Sequence, residues 1–180
     1  MKIFTKIYLV ILSMALPFSV NAAVISYDFG WTGASGYSMT GSFTYDSTSA
    51  GDGYIRDSEV LSLVFEGFQG TTSLGVNSTA HLLSVFNFNF DASIGQFLLN
   101  GNSGGDNGQL WNYGGASGVG FGAGSAASAL SLNGTSSIGF IYNPVPLVAR
   151  PSESVPAPAP LALMALGLIG LGYSRKKKQN

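Results

Sequence analysis

Two apolar runs without a charged residue, 7–20 and 161–173, lie at opposite ends of the 180-residue chain, and basic residues flank each of them. Runs of this kind are typical of targeting segments, which do not join the packed core of a domain. The stretch between them has the usual size of one compact domain, about 100–150 residues. We therefore expect one domain at 23–150, preceded by a targeting segment at 1–22 and followed by another at 151–180.

The first 22 residues have the three parts of a secretory signal peptide in the required order. Lys2 and Lys6 form the positive region, residues 7–20 form an apolar helix, and Val20 and Ala22 occupy positions −3 and −1 relative to the cut, where signal peptidase needs small side chains. An uncleaved anchor is the alternative, but the run is shorter than the ~20 residues of a spanning helix. We expect signal peptidase to cut after Ala22.

The last 30 residues combine a linker, a transmembrane helix and a basic end. Four prolines at short spacing favour an extended linker, because proline lacks the backbone donor that helices and sheets need. Residues 156–173 would form a helix about 27 Å long at ~1.5 Å per residue, which is just sufficient to cross a bilayer core. The prolines are Pro151, Pro156, Pro158 and Pro160, and the basic residues are Arg175, Lys176, Lys177 and Lys178.

The basic end sets the orientation of this helix, since positive residues stay in the cytoplasm and the domain would then face outward. Packing of 161–173 into a soluble core is an alternative, but the run has no polar face to meet water. A permanent tail anchor is the other alternative, and it differs only in the fate of the helix after insertion.

The C-terminal layout resembles the PEP-CTERM sorting signal of exported bacterial proteins. The resemblance rests on Val155-Pro156-Ala157-Pro158, the Gly- and Leu-rich apolar segment and the basic cluster at 175–178. Ala157 stands where the family has glutamate, so the chain carries a Val-Pro-Ala-Pro variant. The resemblance implies that Val155, Pro156, Pro158 and the basic cluster are recognised by the sorting machinery, and that none of them is catalytic in this chain.

The resemblance also implies a place in the cell. It indicates a Gram-negative bacterium, an inner-membrane-tethered precursor processed by the membrane protease exosortase, and a final location at the cell surface or outside the cell. Many members of the family accompany exopolysaccharide or biofilm production, so an exopolysaccharide partner is expected.

Composition excludes several classes of function for the middle of the chain. Residues 23–154 contain Arg56 and Arg150 against nine acidic residues, a net charge of −7, and a nucleic-acid partner needs a basic face. The absence of cysteine excludes disulfides, thiolate nucleophiles and thiolate metal sites. Because His81 is the single histidine, only carboxylate and carbonyl oxygens remain as ligands. We expect no cofactor, with calcium as the one metal left open.

The middle also has the pattern of an all-β domain, because alternating β-branched and aromatic segments are separated by Gly, Asn, Asp and Ser. In 86–91, three phenylalanines alternate with polar residues, which predicts one core face and one solvent face. We expect an antiparallel β-sandwich, jelly-roll-like or otherwise, with long loops or flat strands at 100–128. The predicted strands are 23–31, 37–46, 59–66, 81–91, 95–100, 109–113, 119–121, 129–133 and 137–142.

Acidic and amide residues provide two calcium hypotheses. Asp46, Asp52 and Asp57 flank a Ser/Gly-rich loop and would have to meet there, although turn acids are commoner. A set of Asn100, Asn102 and Asp106 lacks the bidentate glutamate of an EF-hand and is better read as a polar loop. Glu59 and Glu66 are excluded as a glycosidase pair, since seven residues of strand separate them by about 23 Å.

Aromatic residues in the glycine-rich half suggest a ligand. If Trp111 and Tyr113 were exposed beside the asparagines of 100–112, they could stack against sugar rings, although core placement is the commoner fate of such residues and of Trp31. The leading hypothesis is a non-enzymatic exported surface or matrix protein. A carbohydrate-binding module and a glycan hydrolase with carboxylates converging from different strands are the alternatives.

Overall fold

Two antiparallel β-sheets form the part of the chain that the computed structural model describes, residues 22–115, 117–142 and 147–152. The larger sheet has the order β3-β6-β7-β12-β1-β2-β4-β5, and the smaller one has the order β11-β10-β9-β8. The strands are β1 (Val24–Thr32), β2 (Tyr37–Asp46), β3 (Tyr54–Arg56), β4 (Val60–Gln69), β5 (Thr72–Asn77), β6 (Asn89–Asp91), β7 (Gln96–Phe97), β8 (Gln109–Trp111), β9 (Val119–Ala123), β10 (Ala127–Leu132), β11 (Thr135–Tyr142) and β12 (Val148–Pro151).

The long strands of the larger sheet follow the alternation of their sequences. In β1, the side chains of Tyr27, Phe29 and Trp31 are buried, while Asp28 and Thr32 are exposed. Since successive side chains of a strand point to opposite faces, one face of the sheet becomes apolar. The four-residue spacing between β1 and β2 is short enough for a hairpin, and the two strands pair along their whole length.

Gly41 sets the shape of this apolar face. It lies in register between Phe29 of β1 and Phe65 of β4, so the three residues form one row across the sheet. A Cβ atom at Gly41 would lie 2.5 Å from the Phe29 ring and closer still to the carbonyl oxygen of Val64. Glycine is therefore required at this position, because any side chain would displace the ring that covers it.

The two sheets share one aromatic core centred on Trp111. The indole of Trp111 in β8 lies 5.2 Å from the ring of Phe29 and 5.7 Å from that of Phe65, both in the larger sheet. It also lies 5.1 Å from Phe121 of its own sheet. Burial of a large apolar side chain contributes about 1.5–3 kcal/mol. These contacts hold the inner faces of the two sheets together without any disulfide.

The sheets also approach each other along one side. Asn87, just before β6, forms an antiparallel bridge with Leu110 of β8, with N···O distances of 3.0 and 2.9 Å. The edge strand of the smaller sheet is thus bonded to the segment that leads into the larger one. The smaller sheet consists of consecutive hairpins, whereas the larger sheet also pairs strands that are distant in the sequence, β3 with β6, β7 with β12 and β12 with β1. This eight-plus-four arrangement of the described strands differs from the eight strands and two Greek keys of a jelly roll.

The predicted strand 81–91 is wrong over most of its length. A 3₁₀ helix occupies Ala80–Leu82, and only Asn89–Asp91 forms a strand. The reason is the side chain of Asn77, whose Oδ1 accepts hydrogen bonds from the backbone N–H groups of Thr79 (3.0 Å) and Ala80 (2.9 Å). Such a side-chain acceptor competes with the strand ladder and turns the chain.

Three strands were not predicted, namely β3, β5 and β12. β12 is the most informative, because it pairs with β1 in the register Tyr27 to Pro151 and so incorporates the start of the expected linker. The other predicted strands of the domain are confirmed with shifts at their ends.

The expected signal helix and C-terminal transmembrane helix lie outside the described residues. Within 22–115, 117–142 and 147–152, no helix has the length and apolar character needed to cross a membrane.

The chain enters and leaves the larger sheet at neighbouring positions. The backbone N–H of Ala23 donates to Oγ of Ser47 at 3.0 Å, and the backbone N–H of Ser152 donates to the carbonyl oxygen of Ser26 at 2.9 Å. The hydroxyl of Ser26 also lies 3.1 Å from that of Ser152. Both connections to the terminal segments therefore leave the fold side by side.

Candidate functional site

Trp111 is in the core, and its prediction as a glycan contact is wrong. Its side chain is fully buried, and the part of the chain that the structure describes offers its indole N–H no hydrogen-bond partner. Trp31 is buried too, and its Nε1 donates to Oγ of Ser128 at 2.8 Å. Strand alternation explains both positions, since Trp111 pairs with the inward-facing Phe121 of β9.

Tyr113 is half-buried on the outer side of the smaller sheet. After β8 the backbone of Asn112 takes a positive φ of 52°, and the loop 112–115 folds back over β9. The Tyr113 ring then covers Gly122, where a Cβ atom would lie 3.0 Å from the ring. Its hydroxyl is 2.5 Å from Oγ of Ser137 in β11, which fixes the ring. Of the two predicted stacking residues, only Tyr113 lies at the surface.

Two further aromatic residues stand on the same outer face and were not singled out from the sequence. Phe140 and Tyr142 of β11 are 39% and 79% exposed, and their rings lie 4.9 Å apart at an interplanar angle of 83°. The signal was present, because alternation in the predicted strand 137–142 places these two residues on one face. A choice between the inner and outer face required the sheet pairing.

A shallow pocket of about 160 Å³ lies between these aromatic residues and the glycine-rich loop. Its floor consists of small residues of β9 and β10, which bring the backbone of the sheet close to the surface. Tyr113, Phe140 and Ser103 stand around this floor, which is formed by Gly122, Ala127, Ser128 and Ala129. We call this depression the aromatic pocket.

A second depression of about 410 Å³ continues from the first. It shares Ser103 and Ala127 with the aromatic pocket and adds the polar side chains of Asn102 and Ser125. We call it the amide pocket, and the two together the outer groove. Every described residue that lines the outer groove is uncharged. The groove can therefore offer ring faces, hydroxyl groups and one amide to a ligand.

The loop that walls the groove is held from below by Asn87. Its amide nitrogen Nδ2 donates toward the carbonyl oxygens of Ser103 (2.8 Å), Gly105 (3.0 Å) and Gly108 (2.9 Å). A glycine-rich loop has little side-chain surface to bury, so its order depends on such bonds to its backbone. The polar loop expected around 100–106 is confirmed, and its fixed shape comes from a neighbouring segment.

Asn89 and Gln109 continue this support into the interior. Asn89 Nδ2 donates to the carbonyl oxygen of Gly108 at 2.7 Å, and Gln109 Nε2 donates to those of Asn89 (2.7 Å) and Leu98 (3.0 Å). Both side chains are buried. The expectation that the polar residues of 86–91 face solvent is thus wrong at Asn89, because that face is covered by the 98–108 loop.

The structure does not assemble the predicted calcium cluster of Asp46, Asp52 and Asp57. Oδ1 of Asp46 accepts bonds from the hydroxyl (2.7 Å) and the N–H (2.8 Å) of Thr48, which lower the pKa of its carboxyl. Oδ1 of Asp52 accepts from the N–H of Tyr54 at 2.9 Å. Across the described ranges, no group of three His, Cys, Asp or Glu side chains has the geometry to hold a metal ion. Asp46 and Asp52 act as local turn acceptors.

The remaining titratable candidates are Glu59, Glu66 and His81. Glu59 Oε2 accepts a bond from the N–H of Arg56 at 2.8 Å, and Glu66 Oε1 accepts one from the hydroxyl of Ser73 at 2.5 Å. His81 is half-buried in the 3₁₀ helix. The two glutamates thus have local hydrogen-bond donors, whereas Nδ1 of His81 is buried with no hydrogen-bond partner among the described residues. None of the three side chains lines the outer groove.

The outer face of the larger sheet differs in charge from the outer groove. Shallow depressions of about 460 and 540 Å³ on that face are lined by Asp28, Arg150 and Glu66 together with Ser and Thr of β2. Asp28 and Arg150 are opposite one another in the β1–β12 register. The molecule therefore presents one charged sheet face and one uncharged, aromatic one.

Comparison with known proteins identifies the sorting signal. A family model described as the PEP-CTERM protein-sorting motif matches residues 154–177. The match supports a PEP-CTERM protein, made as a membrane-anchored precursor and sorted to the cell surface by the membrane protein exosortase. No curated protein and no solved structure matches the chain. The predicted recognition residues Val155, Pro156, Pro158 and Arg175 to Lys178, and Val20 of the signal cleavage site, lie outside the described residues.

Proposed function

We propose that this protein is a non-catalytic component of the surface or extracellular matrix of a Gram-negative bacterium, associated with exopolysaccharide or biofilm. The observation that carries the proposal is the sorting-motif match at 154–177 directly after a self-contained β domain. The domain is best classed as a β-sandwich, because aromatic rings of both sheets meet around Trp111.

Signal-peptide removal after Ala22 is compatible with the fold. Ala22 is exposed and precedes β1, while the N–H of Ala23 is bonded to Ser47. A cut between Ala22 and Ala23 would leave a new amino group that still donates to the Ser47 hydroxyl. Signal peptidase could therefore act without disturbing the sheet.

The Val-Pro-Ala-Pro variant is proposed to be a working substrate of exosortase. Intact-mass measurement of the protein released from producing cells tests this, and a C-terminus near Pro156 is expected. In a strain without exosortase, the full C-terminus should remain in the membrane fraction. A Pro156→Ala/Pro158→Ala variant should accumulate as precursor, whereas the matched Pro160→Ala variant should be processed. A released protein that still carries Arg175 to Lys178 would contradict the proposal.

The absence of catalysis is tested separately. Purified released protein, incubated with the extracellular polysaccharide of its own cells, should generate no new reducing ends above a heat-treated sample. Release of reducing ends would instead support the glycan hydrolase, with carboxylates brought together from different strands.

Carbohydrate binding is a second candidate, because one observation favours it. Tyr113 and Phe140 border a pocket whose floor is made of glycine, alanine and serine, and aromatic rings beside hydroxyl and amide groups suit sugar rings. Co-sedimentation with the cells' own exopolysaccharide is expected for the wild type. Protein that stays fully soluble beside sedimented polysaccharide would count against this function.

A further inference from the structure

We propose that the outer groove binds an uncharged glycan chain, with a sugar ring against Phe140 and Tyr113 and the neighbouring ring over the amide pocket. This inference rests on the proposed carbohydrate binding and adds the site and the chemical class of the ligand. Three properties of the groove carry it: the arrangement of its rings, its polar groups and its lack of charge.

The aromatic end of the groove has the geometry of a corner. Phe140 and Tyr142 are nearly perpendicular, with ring centroids 4.9 Å apart, so one ring can face a sugar while the other borders its edge. Tyr113 lines the same pocket, and its ring is fixed by its bond to Ser137. A sugar ring presents C–H groups on its flat faces, and their burial against aromatic carbon is favourable.

The floor and the far end of the groove complete this arrangement. Gly122 and Ala129 have little or no side chain, so a flat ring can approach the sheet between the taller aromatic walls. Beyond Ser103, the amide pocket offers the side chains of Asn102 and Ser125, which can donate to and accept from sugar hydroxyls. Because the amide pocket shares Ser103 and Ala127 with the aromatic pocket, the path suits consecutive residues of one chain.

Charge selects between classes of glycan. No lysine or arginine lines the groove, and the described residues contain Arg56 and Arg150 against eight acidic residues, a net charge of −6. A polymer of uronic acids would be repelled by this field and would find no cation at the site. An uncharged glycan chain is not repelled by this field, and its hydroxyl groups can form hydrogen bonds with the Ser and Asn side chains of the groove.

Affinity electrophoresis of the released, mature protein tests the inference. Native gels are cast with laminarin, hydroxyethylcellulose or dextran as neutral probes and with alginate as the anionic probe. We expect retardation by at least one neutral polymer and none by alginate. Retardation by none of the three neutral polymers, or stronger retardation by alginate, would overturn the inference.

Variants locate the binding. Phe140→Ala and Tyr113→Ala should each weaken binding of the retarding polymer about fivefold or more, as expected for loss of one stacking contact. Tyr113→Phe keeps the ring and should bind within about twofold of wild type, while Gly122→Ala should bind weakly because its Cβ would enter the floor beneath Tyr113.

The matched control is Tyr54→Ala, since Tyr54 is an exposed aromatic residue at the edge of the larger sheet, 36% exposed and covered by Arg56. It should bind as wild type does. Circular dichroism confirms that each variant is folded. Wild-type binding by both alanine variants at the groove would overturn the inference. Surface delivery is measured independently by fractionation, so a sorted protein that binds no glycan leaves the sorting proposal intact.

Discussion

The hairpins at 24–77 and the glycine-rich segment at 98–134 satisfy their backbone hydrogen bonds in different ways. The first region pairs β1, β2 and β4 along strands of nine and ten residues. The second has strands of three to six residues at β8, β9 and β10, and its 98–108 loop bonds to the side-chain amides of Asn87, Asn89 and Gln109.

The two regions therefore owe their order to different interactions. In the hairpins, the alternating pattern and the ladder support each other, so the region specifies its own structure. In the 98–108 loop of the glycine-rich segment, few side chains can be buried, and order is supplied by the side-chain amides of Asn87, Asn89 and Gln109. Since the amide of Asn87 also bonds to the carbonyl oxygen of Ser103, the shape of the outer groove depends on a residue outside it.

The largest effect is expected from the aromatic core beneath the hairpins. Phe43→Ala removes a fully buried ring that lies 4.9 Å from both Phe88 and Phe90, so the free energy of unfolding should fall by about 3–5 kcal/mol. Urea denaturation of the mature protein measures it. Phe140→Ala, at an exposed site, is the control and should change stability by less than about 0.5 kcal/mol. Equal losses in the two variants would show that the core is not where the structure puts it.

A smaller and more local effect is expected at Asn89. Asn89→Leu removes the amide that donates to Gly105 (3.1 Å) and Gly108 (2.7 Å), and leaves buried carbonyl oxygens without that donor. We expect a loss of about 1–3 kcal/mol. Hydrogen exchange should accelerate first at 101–108 and leave the β1–β2 amides protected. Exposed Asn102→Ala serves as the control. If Asn89→Leu accelerated hydrogen exchange equally at 101–108 and in β1–β2, the loop would not depend on the Asn89 amide more than the hairpins do.

The bond that joins the two regions should contribute less. Trp31→Phe removes the Nε1 donor to Ser128 of β10 and should destabilise the protein by about 1–2 kcal/mol. The double variant Trp31→Phe/Ser128→Ala should lose less than the sum of the two single variants, because neither partner is then left buried alone. Additive losses would mean that the indole and the hydroxyl do not act as a pair.

The smallest effect is electrostatic and lies at the turn after β6. The hydroxyl and N–H of Ser93, together with the N–H of Ile94, lower the pKa of Asp91. A lowered pKa in the folded state means stability that is present above the unfolded pKa of about 3.9 and is lost as pH falls through the folded value. Between pH 5 and pH 2, the urea midpoint should therefore fall less in Ser93→Ala than in wild type. An identical fall would exclude this contribution.

Sequence patterns predicted the all-β class and most strands of the long hairpins, because alternation reports directly on burial. They left open whether Trp111 and Tyr113 lie in the core or at the surface, since two residues of one short segment cannot be assigned to inside and outside without the turn at Asn112. Phe140 was missed because the choice between the inner and the outer face of its strand required the sheet pairing. The role of Asn89 was also hidden, because a polar residue in an alternating strand indicates solvent unless the covering loop is known.

The neighbouring positions of Ala23 and Ser152 have a practical consequence for attaching cargo to this protein. A reporter joined before β1 would stand at the same pole as Ser152, after which the chain continues into the sorting motif at 154–177. The opposite pole is marked by the turn at Gly70 between β4 and β5, whose N–H bonds to the carbonyl oxygen of Gly36. An insertion there would project away from Ala23 and Ser152. This turn is therefore the place to display a foreign peptide on the cell.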